Sequence, residues 1–269
     1  MRLISLILLF LLSGTVSAQK VEWYTTTQTS PWVKQKVKPE RVTTGAEIVL
    51  DPTLRLQLIM GIGGCFNEMG WDALNALSAE DREAVLQAIF SKDGACFNYC
   101  RLPMGANDFA LSFYSSADVA GDFNLVNFNI DRDRYILIPY IKAARQINPD
   151  LRIWASPWCP PAWMKTNNHY ASAVRPSGEK DVNGLLPREA ITEFSTGFRM
   201  EEGYLKTYAD YFARFIKAYE AEGLPLECIH VQNEPCSNQV FPSCKWRTED
   251  LTFFLGHYLG PTFERENIK

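Results

Sequence analysis

The chain has 269 residues, a formal net charge of −4, 46% hydrophobic residues and 13% aromatic residues. This is the composition of an ordinary globular protein with one large domain or two small ones. The mildly acidic balance, without a basic stripe or an RNA-binding aromatic motif, argues against a nucleic-acid binder.

The N-terminus has the pattern of a secretory signal peptide over residues 1–18. Arg2 supplies the positive charge, an apolar run follows at residues 4–12, and residues 16–18 offer the small side chains of a cleavage site. The apolar run is too short to span a bilayer. We therefore predict a protein that is secreted or periplasmic after cleavage near Ala18, without stable membrane insertion.

Residues 19–58 are predicted to form strands of a small side domain, because residues 21–27 and 46–50 are rich in β-forming side chains. From about residue 59 to residue 269, strand and helix patterns alternate. The predicted strands span residues 58–64, 97–102, 151–155 and 228–232. The predicted helices span residues 78–90, 131–147, 200–222 and 248–265, and a further helix is expected after Asn67-Glu68.

Four strand–helix units in a row indicate an α/β fold with a parallel sheet and helical crossovers. A doubly wound sheet and a (β/α)₈ TIM barrel both fit this pattern. The long loops after the second and third strands favour the barrel, whose site is built from such loops. Residues 59–269 would then form about the first four of its eight units.

Asn-Glu-Pro at residues 233–235 follows the fourth predicted strand. Proline restricts the preceding residue towards extended backbone, so Glu234 is predicted to stand at the carboxyl end of that strand. A carboxyl group there suits a general acid for glycosidic bond cleavage, and Asn233 suits a hydrogen bond to the sugar 2-hydroxyl. Taken alone, the tripeptide also fits a plain turn.

Other candidate site residues follow the second and third predicted strands. Arg101, inside an apolar strand, is expected to pair with a carboxylate, either for structure or to orient an active-site acid. Asp108 fits a sugar ligand or a turn residue. Trp158 and Trp163 lie in a proline-stiffened loop, where indole faces could stack on sugar rings.

Two further features have alternative interpretations. Glu68 is either a second acid or an acidic residue that favours a helix N-terminus. Cys236 and Cys244 flank a short polar loop in a chain predicted to be exported, so a disulfide between them is one interpretation. The cysteines show no CxxC pair and the three histidines are scattered, so neither a metal nor a cofactor is predicted.

Four segments together resemble the motifs of family 30 glycoside hydrolases, a family of glucosylceramidases and endo-β-1,6-glucanases. They are residues 61–68 (GIGGCFNE), 99–108 (YCRLPMGAND), 155–166 (ASPWCPPAWMKT) and 231–235 (VQNEP). The resemblance implies a (β/α)₈ barrel with a side β-sandwich built from both chain ends. It also implies that Glu234 is the acid/base, and that Arg101, Asp108, Trp158 and Asn233 line the subsite for the sugar being cleaved.

In that family the nucleophilic glutamate follows the seventh barrel strand, which this chain does not reach. Retaining cleavage needs two carboxyl groups roughly 5–5.5 Å apart. We therefore expect the nucleophile to lie beyond residue 269 and the 269 residues to be inactive alone. The expected substrate is a β-linked glucan, with the β-1,6 linkage favoured. Glucosylceramide is the alternative substrate, and a non-catalytic carbohydrate-binding remnant is the alternative function.

Overall fold

The computed structural model describes residues 21–38, 45, 51, 53–175 and 183–269. The chain divides into two compact units, Met1–Gln57 and Leu58–Lys269. In the first unit, strands β1 (Trp23–Thr25) and β2 (Val33–Gln35) pair in antiparallel fashion. The predicted signal peptide and the predicted strand at residues 46–50 lie outside the described residues, and the side β-sandwich stays a prediction.

The second unit contains a parallel sheet with the strand order β3-β4-β5 in the described part of the chain. Its strands are β3 (Tyr99–Pro103), β4 (Arg152–Ser156) and β5 (Cys228–Ile229). Helices connect the strands along the chain, as parallel pairing requires. The predicted α/β class with a parallel sheet is confirmed, and the described sheet corresponds to part of a barrel.

Seven α-helices occur in the described residues. They are α1 (Glu68–Asn75), α2 (Ala79–Phe90), α3 (Asp131–Tyr135), α4 (Leu137–Ile147), α5 (Glu202–Ala221), α6 (Thr248–Phe254) and α7 (Gly260–Arg265). A π-helical turn (Leu255–Leu259) joins α6 to α7, and 3₁₀ turns span Ala162–Met164 and Pro187–Glu189. None of the described helices has both the length and the apolar character needed to cross a membrane.

The helix boundaries follow local capping chemistry closely. Helix α2 begins where Ser78 accepts a hydrogen bond from the Asp81 backbone N–H at 3.0 Å, as its sequence predicts. Asn67 caps α1 in the same way through the Gly70 N–H at 2.7 Å. The predicted helix at residues 131–147 is interrupted at Ile136, whose φ of −118° is not helical. The caps thus made helix starts predictable, whereas internal breaks were not.

The first predicted strand, residues 58–64, is not a regular strand. Pairing with β3 is confined to residues 62–66. The Tyr99 N–H donates to the Ile62 carbonyl at 3.2 Å, and the Arg101 N–H donates to the Gly64 carbonyl and the Phe66 N–H to the Arg101 carbonyl, each at 2.9 Å. Leu58 remains 87% exposed. Because the side chains before Gly61 bury little apolar surface, the apolar pattern does not extend the ladder towards Leu58. The fourth strand is also shorter than predicted and ends at Ile229.

The two faces of the sheet differ in burial. Cys100, Leu102, Ile153 and Ala155 point into the hydrophobic core shared with the helices. On the opposite face, Pro103 and Ser156 are buried at the carboxyl ends, whereas the other positions of β3 and β4 are only partly buried. A parallel sheet is normally covered on both faces. One face of this sheet is therefore packed, while the other presents polar and aromatic side chains.

An aromatic cluster, defined by Phe198, Tyr208, Trp246 and Phe254, fixes the segment after β5 to helix α5. The Phe198 and Trp246 rings stack with centroids 4.8 Å apart, and Tyr208 stacks on Phe254 at 5.4 Å. These rings are at most 3% exposed. Their burial supplies apolar area and ring contacts that hold Trp246 close to the carboxyl end of the sheet.

A buried ion pair anchors the long loop after β3. Glu68, on α1, accepts two hydrogen bonds from the Arg132 guanidinium, each at 2.7 Å, and a third from the Leu111 N–H at 2.8 Å. Its side chain is 1% exposed. A carboxylate buried to this degree needs these donors to offset desolvation. Glu68 therefore holds the loop that contains Asp108.

A second buried carboxylate, Asp133 on α3, accepts hydrogen bonds from Tyr114 and Tyr219, at 2.9 and 2.7 Å. Burial raises the pKa of Asp133 to about 6, and the two tyrosine hydrogen bonds offset only part of this effect. The folded state therefore binds the Asp133 proton more tightly than the unfolded chain does. The stabilisation from this proton is present below pH 4 and is lost as the pH rises through 6.

We predict that the Asp133→Asn variant lacks this pH dependence. The pKa difference between about 6 and the ordinary 3.8 corresponds to about 3 kcal/mol of unfolding free energy. We therefore compare the unfolding free energies of the wild type and the variant. The difference, wild type minus variant, should fall by up to this amount between pH 4 and pH 7. Urea denaturation at several pH values measures it. A difference that stays flat across this range would contradict the assignment to Asp133.

Candidate active site

Arg101 joins the carboxyl ends of the strands to the Asn-Glu-Pro segment. Its Nε donates to Ser156 Oγ at 3.1 Å, and its Nη2 donates to Asn233 Oδ1 at 2.8 Å. The guanidinium carbon lies 3.9 Å from the Trp158 ring centroid and 5.0 Å from that of Trp154. One cation therefore connects β3, the end of β4 and the segment after β5.

The electrostatics of Arg101 show which acids lie nearby. Burial lowers its pKa, while the negative charges of Asp108 and Glu234 act in the opposite direction. Its side-chain hydrogen bonds nevertheless go to a hydroxyl and an amide. The expected direct carboxylate pair is therefore wrong for the described residues. Arg101 orients Asn233 by contact and acts on the two acids only through space.

Gln232, which the sequence did not single out, fastens the same segment to the loop after β4. Its Nε2 donates to the Trp158 carbonyl at 2.7 Å, and its Oε1 accepts from Trp246 Nε1 at 3.3 Å. The Asn233 N–H donates to the Pro157 carbonyl at 2.8 Å. The sequence offered no signal for this role, because the burial of Gln232 and its hydrogen bonds depend on distant segments.

Glu234 stands on an exposed turn, and its backbone is not extended as predicted. Its φ is +43°, in the left-handed region that a non-glycine residue rarely adopts. The Gln239 Nε2 donates to its Oε2 at 2.9 Å, and the Ser237 N–H donates to its carbonyl at 3.0 Å. Such outliers concentrate at functional sites, where surrounding contacts maintain them. The carboxyl group is thus open to solvent and held by one amide.

Asp108 is exposed beside a cavity of about 400 Å³. The cavity lies between the loop after β3 and the segment after Glu234. Its walls include Asn107, Asp108, Phe113, Asn183, Val240 and Pro242. The Asn107 Nδ2 atom is buried and has no hydrogen-bond partner in the described part of the chain. The cavity therefore presents the exposed Asp108 carboxylate, while the Asn107 amide donor is buried behind its wall.

The two predicted tryptophan walls differ from each other. Trp158 is buried and covers the Arg101 guanidinium, so it lies within the cluster around Asn233. Trp163 packs in the hydrophobic core, where its Nε1 donates to the Ala117 carbonyl at 2.8 Å and its ring meets Phe123. The structure thus brings Trp158, but not Trp163, together with the other candidates, and Trp163 is not placed as a site wall.

The structure distinguishes between the alternative interpretations of Glu68 and of the Cys236–Cys244 pair. Glu68 is committed to Arg132 and the Leu111 N–H, which favours its structural interpretation over that of a second acid. All seven cysteines are free in the described residues, with Cys244 buried and Cys236 exposed. The suggested disulfide between them is therefore wrong. No group of three or more potential metal ligands occurs among the described residues.

The arrangement thus combines the exposed Glu234 carboxyl group with an Asn233 amide that an arginine fixes. Asn233 lies next to Glu234 in the chain, and Asp108 is close enough to influence the same cation. A carboxyl group can donate and later accept a proton, while amide and carboxylate groups can hydrogen-bond hydroxyls. This chemistry suits acid/base work on a hydroxylated ligand.

Comparisons with known proteins agree with this geometry. Residues 59–184 match the model of the glycosyl hydrolase family 30 TIM-barrel domain. The putative glucosylceramidase 4 of Caenorhabditis elegans is 30% identical over 259 residues, covering 92% of this chain and 46% of the relative.

Two solved structures resemble the fold. SrfJ from Salmonella typhimurium has a TM-score of 0.71 at 28% identity, and the match covers 88% of this chain and 48% of the SrfJ chain. An endo-β1,6-glucanase has a TM-score of 0.66 at 26% identity, and the match covers 81% of this chain and 44% of the glucanase. The chain thus spans less than half the length of these similar proteins. The domain match over residues 59–184 and these similarities together relate the chain to glycosyl hydrolase family 30.

Proposed function

We propose that this chain supplies the acid/base part of a retaining β-glycosidase. Glu234 would first protonate the leaving oxygen and then activate the attacking water. The observation that carries this proposal is the exposed Glu234 carboxylate, held by Gln239 at 2.9 Å beside the Asn233–Arg101 contact. The match of residues 59–184 to the family 30 domain supports glycosidic bond hydrolysis as the reaction.

Asn233 and Asp108 are the proposed sugar ligands. Because Arg101 donates to the Asn233 Oδ1, the amide is oriented with its Nδ2 as the donor for a sugar hydroxyl. A hydrogen bond to the 2-hydroxyl strengthens in the transition state of this reaction class. Arg101 thus contributes by fixing the rotamer of Asn233, and Trp158 by covering the guanidinium.

The cavity next to Asp108 supports a carbohydrate ligand. The exposed Asp108 carboxylate on its wall can accept hydrogen bonds from sugar hydroxyls. Phe113 and Pro242 provide apolar surface on the same walls. Sugars present both hydroxyls and apolar ring faces, so the wall chemistry matches this ligand class.

The second carboxyl group is proposed to come from sequence beyond residue 269. In the retaining mechanism it would attack the anomeric carbon, so the 269 residues would be inactive alone. The intact mass of the native protein tests this, together with the proposed export through the signal peptide. We expect a mass well above 30.6 kDa. A mass near 30.6 kDa less the signal peptide would favour a carbohydrate-binding remnant without activity.

We propose a β-1,6-linked glucan as the substrate, because the similar endo-β1,6-glucanase structure covers most of this chain. Glucosylceramide is the second candidate, favoured by the putative glucosylceramidase from C. elegans. The native full-length protein should therefore be given pustulan, an aryl β-glucoside and glucosylceramide. Release of glucose or oligosaccharides from pustulan is the expected result. Three intact substrates would refute the proposed activity.

Removal of the Glu234 carboxyl group is predicted to lower turnover of substrates with poor leaving groups. General acid/base catalysis contributes typically 10²–10⁴-fold, so kcat/KM of Glu234→Gln on an unactivated β-glucoside should fall by about that factor. The loss of kcat/KM should be smaller on an activated aryl β-glucoside, because its leaving group needs less protonation in the bond-breaking step. Glu264→Gln, on the exposed side of α7, is the control. Equal losses in both variants would contradict the role of Glu234.

A further inference from the structure

We infer that Gln239 is a positioning residue for the Glu234 carboxylate, and that Lys165 and Ser243 hold Gln239 in place. This inference rests on the proposed acid/base role of Glu234. Gln239 is five residues beyond Glu234, and its Nε2 donates to the Glu234 Oε2 at 2.9 Å. An amide donor to one oxygen fixes the plane of the carboxyl group and leaves the other oxygen available for proton transfer.

The backbone of Gln239 is fully engaged by neighbouring segments. Its N–H donates to Ser243 Oγ at 3.2 Å. Its carbonyl accepts from the Ser172 N–H at 3.0 Å and from the Ala173 N–H at 2.9 Å. The Ser243 Oγ also lies 3.3 Å from this carbonyl. Both backbone polar groups of Gln239 are therefore held, which fixes the origin of its side chain.

Lys165 anchors the segments that hold Gln239. Its side chain is fully buried, and its three N–H donors are shared among four acceptors within hydrogen-bond distance of Nζ. These are the carbonyls of Tyr170 and Ala171, each at 3.0 Å, Ser172 Oγ at 3.3 Å and the Ser243 carbonyl at 2.6 Å. A buried ammonium group is costly unless its donors are satisfied. These four acceptors come from both segments that contact Gln239, so Lys165 ties them together.

The resulting connection runs from the buried ammonium to the exposed carboxylate. Lys165 fixes Ser243, Ser243 fixes the Gln239 backbone, and Gln239 fixes Glu234. A carboxylate on an exposed turn would otherwise sample several rotamers, which costs catalytic efficiency when geometry must be maintained within fractions of an ångström. The cation therefore contributes to catalysis through position, without contacting the substrate.

The test compares Gln239→Ala with Gln87→Ala in the native full-length protein. Gln87 is a matched control, because its Nε2 donates to Glu83 Oε1, also at 2.9 Å, on the exposed face of α2. We expect Gln239→Ala to lower kcat/KM, which reports the bond-breaking step, on an unactivated β-glucoside about tenfold or more. The loss should shrink for an activated aryl β-glucoside. A loss that is equal for both substrates, or equal in both variants, would overturn the inference.

Ser243→Ala extends the test to the support of Gln239. It removes the hydroxyl contacts with the Gln239 backbone but keeps the carbonyl that Lys165 binds. We expect the same dependence on the leaving group as in Gln239→Ala, with a smaller loss of kcat/KM. A Ser243→Ala enzyme with wild-type kcat/KM on both substrates would overturn the supporting role of Ser243.

A measurement without turnover separates this inference from the proposed activity. The side-chain amide protons of Gln239 should shift in the ¹⁵N–¹H spectrum on Glu234→Ala and stay in place on Glu264→Ala. If the wild-type protein hydrolyses no glycoside but this shift occurs, the contact stands and the proposed function fails. Unshifted Gln239 amide protons in Glu234→Ala would overturn the contact itself.

Discussion

The site depends on the hydrogen bonds and ring contacts of Arg101. Its guanidinium connects β3 with Ser156 at the end of β4 and with Asn233 beyond β5. Trp158 covers one of its faces. An arginine can do this because its donors lie in a rigid plane whose face can stack on an aromatic ring. Without this cation, Asn233 would lose the contact that sets its orientation relative to β3.

Three buried ionisable groups support the loops around this centre. Glu68 holds the loop after β3, Asp133 joins α3 to Tyr114 and to α5, and Lys165 ties the loop after β4 to the segment after Glu234. Each satisfies its buried atoms with several hydrogen bonds, as the cost of desolvation demands. Precise loop positions are thus obtained from buried polar contacts, while the apolar core positions the helices and strands.

Periodicity and capping residues were enough to locate the parallel strands and most helices, because those signals are local. Contacts between distant segments decided the rest. The proline rule predicted extended backbone at Glu234, but hydrogen bonds on both sides hold it at a φ of +43°. Trp158 and Trp163 share one proline-rich loop, and only the fold reveals that Trp163 belongs to the core. The spacing of Cys236 and Cys244 likewise contained no information about their different burial.

The exposed apolar run at residues 58–62 has a consequence for the colloidal behaviour of this chain. Leu58, Ile59, Met60 and Ile62 are all more than half exposed, in the segment whose pairing with β3 begins only at residue 62. A short, uncharged, β-prone segment that exposes its apolar side chains is a template for pairing with another chain. The chain in this form should therefore self-associate as its concentration rises. Recombinant work with it would need low concentrations or charged substitutions in this segment.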